Sequence, residues 1–122
     1  MAISSRFVLK AMCTVLVALA VATPPAAQGQ ISCGAVTSAL APCFDYVLRG
    51  GQTVPNNCCN GVQSLYKEAS STAARQAVCY CLKSITSTVA APIVANAASL
   101  PKKCGVYIPY TISPSIDCTK VR

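Results

Sequence analysis

Cys79-Tyr80-Cys81 constrains this chain more than any other stretch. The residues around it, Ser71 to Lys83, read as a helix, and two positions along a helix turn by about 200°, so the two sulfurs leave on nearly opposite faces. Such a helix can be stapled on both sides at once. The adjacent pair Cys58-Cys59 poses the same problem, because neighbours would have to close a strained ring to bond each other and so reach different partners.

Residues 1–29 have the form of a removable secretory signal. Arg6 and Lys10 make a basic start, Ala11 to Ala22 an apolar run, and Ala27-Gln28-Gly29 a small-x-small cleavage pattern that puts the mature start at Gln30, with cleavage after Ala27 as the alternative. The apolar run is twelve residues long, against roughly twenty needed to span a bilayer. Nine cysteines become eight once Cys13 leaves with the signal, and an even set in a short exported chain reads as a disulfide framework with an oxidising, extracellular destination. The chain has no His and neither doublet has Cys-x-x-Cys spacing, so no metal is expected.

One domain, 30–122, remains. It holds twelve Ala, a single Phe, Phe44, and no Trp, so its helices present small faces that fill little space. Disulfides worth about 2 to 4 kcal/mol each lessen the need for a dense core, and permit a cavity. Eight Lys and Arg face three acidic residues, Asp45, Glu68 and Asp117, a net charge of +5. That charge suits transient contact with anionic membranes or acidic wall polymers. The basic residues are scattered and the chain is exported, which argues against nucleic acid.

Catalysis has little material. There is no His for a nucleophilic triad, the acidic residues stand far apart, and no Ser sits in a Gly-x-Ser-x-Gly elbow, so the chain does not read as an enzyme and calls for no cofactor.

Periodicity predicts four helices. Ser32 caps the first, in which Val36, Leu40, Cys43 and Val47 recur on one face, Pro42 introduces a kink and Gly50-Gly51 ends the run. The second begins near Asn56 or Asn57, with Cys59, Val62, Leu65, Tyr66 and Ala69 on one side; Ser71 recaps the chain into the third, whose inner face is Ala74, Val78, Cys81, Leu82 and Ile85. A short fourth, from about Ile93 to Leu100, is expected to close at Pro101. Beyond it Val106, Ile108, Tyr110 and Ile112 alternate, with Pro109 and Pro114 excluding a helix. This predicts an extended apolar strap across the helices, with Tyr107 pointing away from Tyr110's side. An apolar strap over an Ala-rich bundle would roof a pocket suited to a long alkyl chain with a polar head.

The cysteine order supplies a resemblance. Cys33, nine residues, Cys43, fourteen, Cys58-Cys59, nineteen, Cys79, one, Cys81, twenty-two, Cys104, thirteen, Cys118 resembles the eight-cysteine frame of plant non-specific lipid-transfer proteins, type 1. Ile31-Ser32-Cys33-Gly34, Leu40-Ala41-Pro42-Cys43 and Asn96-Ala97-Ala98-Ser99-Leu100-Pro101 agree with it, and Pro109-Tyr110-Thr111-Ile112-Ser113 matches a family pentapeptide in full. Ser71-Thr72-Ala73-Ala74-Arg75 matches the other, Thr/Ser-x-x-Asp-Arg/Lys, except that Ala74 replaces the acidic residue.

The resemblance implies an all-α fold: a four-helix, disulfide-stapled bundle around a hydrophobic tunnel, roofed by an extended C-terminal tail. It implies a secreted, monomeric carrier of fatty acids, acyl-CoA or phospholipids, located in the apoplast or cell wall, from a family with members linked to plant defence and to allergy. Arg75 and Tyr110 would stand at the tunnel mouth and hydrogen-bond the lipid head, with Val36, Leu40, Val62, Leu65, Val78, Ile85, Ile108 and Ile112 as the apolar wall. Disulfides would join Cys33 with Cys81, Cys43 with Cys58, Cys59 with Cys104 and Cys79 with Cys118. Spacing alone leaves about 105 pairings, and the family's shorter type 2 swaps the partners of Cys79 and Cys81. Two alternatives share the frame or the charge: a protease or amylase inhibitor of the same superfamily, and a membrane-active antimicrobial peptide.

Overall fold

The computed structural model describes residues 31–122; the expected signal, 1–29, lies outside the described residues. Ser32 starts α1 (Cys33–Leu40), its hydroxyl accepting the Ala35 N–H at 3.0 Å. At Pro42, which has no N–H to give, the chain tightens into a 3-10 turn, Ala41–Cys43, and then resumes as α2 (Phe44–Arg49). α1, the turn and α2 together form one bent rod. Gly50, at φ 75°, ends it. α3 (Asn56–Glu68) follows Pro55, and α4 (Thr72–Thr86) starts from Ser71, whose hydroxyl accepts the Ala74 N–H at 3.1 Å.

The fourth rod differs from expectation. α5 runs Ala91–Lys103, longer at both ends than the predicted Ile93–Leu100, with Pro101 inside it. Pro92 falls in the first turn, where a missing N–H costs nothing. Near the other end, the N–H groups of Cys104 and Val106 reach the oxygens of Leu100 and Pro101 at 2.8 and 2.7 Å. The last turn therefore closes around the proline.

α1 packs on α3 and α4, and α2 packs on α5. Four disulfides fasten the rods: Cys33–Cys81 ties α1 to α4, Cys43–Cys58 the bend to α3, Cys59–Cys104 α3 to the end of α5, and Cys79–Cys118 α4 to the closing 3-10 turn, Cys118–Lys120. Cys81 and not Cys79 meets Cys33. The buried side chains fall into separate clusters, one around Val36, Leu65 and Val78, another around Tyr46, Val62 and Leu100, and a third where Val121 joins the Cys79–Cys118 bridge.

Between α5 and that turn the chain is irregular, as the prolines require. Side chains on α4 hold this segment and the chain beyond the turn: Lys83 donates to the Ile116 oxygen at 2.8 Å and Gln76 to the Val121 oxygen at 3.0 Å. Among the described residues there is no strand, and no helix is long and apolar enough to cross a membrane.

Candidate functional site: an apolar cavity under the tail

A cavity of about 320 Å³ lies between the rods and the tail. Leu40 from α1, Val62 and Leu65 from α3, Val78 and Ile85 from α4, and Ile108 and Ile112 from the tail all line it, and so do Arg75 and Tyr110. Every rod contributes, because each turns a narrow apolar stripe inward and none carries enough bulk to fill the centre.

Val36 is the exception among the expected wall residues. It is fully buried, packed with Leu65, Ala74 and Val78 in the seam between α1, α3 and α4, and is not part of the lining. On α1 the cavity side belongs to Thr37 and Leu40. Thr37 is about 100° around the helix from Val36, and its hydroxyl, donated to the Cys33 and Gly34 oxygens, is satisfied within its own helix.

Further lining residues escape periodicity. Leu100 and Pro101 line the cavity from the turn that was expected to end the fourth helix. Phe44 and Tyr107 line it while being exposed. Alternation correctly points Tyr107 outward, since it is 80% exposed, but a residue at an opening belongs to both sides and a two-face pattern admits only one. Arg122 also lines the cavity, and nothing local in the sequence marks it.

Arg75 is held by main chain. Its Nε donates to the Ala69 oxygen at 2.9 Å and Nη1 to the Arg122 oxygen at 3.2 Å. Those bonds use two of the five guanidinium N–H donors. Tyr110 is half-buried, and burial raises its pKa above the usual 10.0, with the nearby Arg75 charge pulling the other way. The phenol therefore stays a neutral O–H donor at physiological pH. Among the described residues no Asp or Glu lines the cavity. An apolar chamber lined also by a guanidinium and a phenol has the chemistry to hold an alkyl chain beside an oxygen-rich group.

A polar relay braces α2 against α5. Lys103 Nζ donates to the Tyr46 hydroxyl at 2.8 Å, and that hydroxyl lies 2.9 Å from Ser99 Oγ, which donates to the Asn96 oxygen at 2.6 Å. The Lys103 bond holds the Tyr46 pKa below its usual value. Among the described residues no group of His, Cys, Asp and Glu is arranged to hold a metal ion.

The family model described as protease inhibitor/seed storage/LTP matches residues 33–118. The non-specific lipid-transfer protein Lac s 1 of Lactuca sativa is 50% identical over 118 residues, covering 97% of this chain and 99% of that protein. Among solved structures, non-specific lipid transfer protein 1 from barley in complex with a lysophosphatidylcholine superimposes with a TM-score of 0.68 at 47% identity, covering 75% of this chain and all of that one. The wheat protein complexed with two molecules of phospholipid gives 0.66 at 46% identity, again over 75% of this chain and all of its own. With the matched segment running from the first framework cysteine to the last, and half of 118 aligned residues shared with a relative of nearly equal length, the chain belongs to the plant non-specific lipid-transfer proteins.

Proposed function

We propose that this protein carries single- or double-chain lipids with oxygen-rich heads, that Arg75 and Tyr110 bind the head, and that Leu40, Val62, Leu65, Val78, Ile85, Ile108 and Ile112 bind the chain. One observation carries the reading: Arg75 and Tyr110 line the same apolar cavity. Burying about twelve methylenes at about 0.8 kcal/mol each gives a gross gain of roughly 10 kcal/mol, which association and ordering costs cut to low-micromolar affinity. Aliphatic walls discriminate weakly, so selectivity among heads and chain lengths is shallow.

We assign the chain to type 1, on the pairing of Cys33 with Cys81 and the full tail pentapeptide. Its mature form is exported to the apoplast or cell wall, and its role is carriage without catalysis. Peptide mapping of the oxidised protein tests the type: recovery of a Cys33–Cys79 bridge would reassign it.

Displacement of a fluorescent fatty-acid analogue tests the carrier reading. The wild type gives saturable micromolar binding. In the Arg75→Ala, Tyr110→Ala variant, loss of charge-assisted hydrogen bonds worth about 1.5 to 3 kcal/mol weakens binding by roughly ten- to hundredfold. No displacement by the correctly bridged wild type would end the carrier reading. Because the Tyr110 pKa lies above its ordinary value, head binding stays level between about pH 6 and pH 9 and falls only where the phenol ionises, above about pH 10. A midpoint near neutrality would remove Tyr110 from the head site.

A further inference from the structure

Polar ties cross the seam between α2 and α5 in one continuous stripe. Ser99 Oγ gives its proton to the Asn96 oxygen at 2.6 Å, so the Tyr46 hydroxyl, 2.9 Å away, donates to Ser99 and accepts from Lys103 Nζ at 2.8 Å. Asn96 Nδ2 adds a second tie, to the Val47 oxygen at 2.9 Å. Lys103 also reaches the Gly51 oxygen at 3.2 Å, with its ammonium 5.1 Å from the centre of the Tyr46 ring. Asn96, Ser99 and Lys103 thus share one side of α5, turned toward α2.

The neighbouring stripe of each helix faces the cavity. Phe44 and Val47 line it from α2, and Ala97, Leu100 and Pro101 from α5. Tyr46 does not line it; the residue is 5% exposed and packs beside Val62 and Leu100. The spacing of α2 and α5 therefore fixes how far apart two walls of the cavity stand. Among the described residues no disulfide joins these rods directly, because α3 is bridged to the bend before α2 and to Cys104 just past α5. The spacing is left to side-chain hydrogen bonds. Such bonds weaken steeply once stretched or bent, and more so in a half-buried network, whereas aliphatic side chains slide past one another at little cost.

We propose that Tyr46, at the centre of the Lys103–Tyr46–Ser99 relay, is a positioning residue that limits the girth of the acyl chain the cavity accepts, favouring unbranched chains over methyl-branched ones. The inference rests on the carrier reading and adds to it a determinant of selectivity that touches no lipid. Aliphatic walls read chain length only gently. A methyl branch is different, since it must push α2 from α5 and break the relay to be seated.

Palmitic acid and phytanic acid, its methyl-branched counterpart of equal main-chain length, share a head and differ in girth. Each is titrated against the fluorescent fatty-acid analogue bound to the oxidised protein. The wild type is expected to bind palmitic acid at least about tenfold more tightly than phytanic acid. In Tyr46→Phe, which keeps the ring and removes the hydroxyl, that ratio falls at least about threefold through a gain for phytanic acid, while palmitic affinity stays within about twofold. Ser99→Ala cuts the same relay from α5 and carries the same expectation if Tyr46→Phe does not fold. Ser32→Ala removes the cap of α1 instead, so it lowers the melting temperature and leaves the ratio unchanged.

Equal affinity of the wild type for the two acids would overturn the proposal. So would an unchanged ratio in Tyr46→Phe, or in Ser99→Ala where that variant stands in, and so would an equal shift in Ser32→Ala. Failure of both acids to displace the analogue from the correctly bridged wild type would instead end the carrier reading.

Discussion

Reduction and alkylation of all four disulfides is expected to abolish the helical circular-dichroism signal at 25 °C and lipid binding with it. Among the described residues, six of the fifteen buried apolar ones are bridged cysteines, so the bridges are themselves much of the core. The Cys33–Cys81 bridge closes a separation of 48 residues, which in the chain-entropy model contributes about 4 kcal/mol. Even the shortest, Cys43–Cys58 with a separation of 15, contributes about 3 kcal/mol. A domain of this size is stable by only about 5 to 15 kcal/mol, so the four together are comparable with its whole stability. Retention of most of the helical signal after complete alkylation would refute this account.

Paired replacement of one bridge gives a graded version. Cys79→Ala, Cys118→Ala frees the closing turn, where Val121 packs beside that bridge and Tyr110 against it. Helix content should largely survive while fatty-acid affinity drops at least tenfold, because the tail that carries Ile108, Tyr110 and Ile112 loses an anchor. Equal affinity before and after would show that the tail holds its place without Cys118.

Gly61→Ala is expected to destabilise the protein by about 1 to 3 kcal/mol, lowering the melting temperature by about 4 to 8 °C for each kcal/mol in a domain of this size. Helix propensity predicts the opposite sign, since Ala in mid-helix is favoured over Gly by about 1 kcal/mol. Gly61 lies within α3, where a Cβ would overlap the main-chain oxygen of Ala39 in α1. Main chain cannot swing aside as a side-chain tip can, so the two rods must move apart. Gly34, in the first turn of α1, is the counter-case: its Cβ would meet nothing nearer than Ser32 Oγ at 3.9 Å. Gly34→Ala should therefore be neutral or slightly stabilising. Thermal melts of both variants decide the matter, and a Gly61→Ala protein as stable as wild type would show that α1 and α3 do not approach this closely.

Local chemistry was legible in the sequence. Ser32 and Ser71 announce helix starts, Pro42 the bend, Gly50 the end of the first rod, and Pro109 with Pro114 an irregular tail; each acts within a few residues of itself and so leaves its mark in local spacing. The opposed sulfurs of Cys79 and Cys81 likewise follow from helix geometry, and the structure uses both directions, toward Cys118 and Cys33. Arg75 and Tyr110 are marked in the sequence by the family pentapeptides, while their convergence on one cavity is a property of the folded chain.

Tertiary structure decided what local spacing could not express. Periodicity says that a helix has an apolar stripe, but not how far each rod is rotated about its axis. A turn of about 100° separates Thr37, which lines the cavity, from Val36, which fills a seam. Pro101 stays inside α5 because the following N–H groups find the oxygens of Leu100 and Pro101 in that turn. The intolerance of Gly61 and the double character of Phe44 and Tyr107 arise only when separate rods and the tail are brought together. By itself the sequence determined where the rods begin and bend and which residues could be cross-linked, because those are short-range effects; the direction each rod faces, the closeness of α1 to α3 and the opening of the cavity depend on packing between residues far apart in the chain.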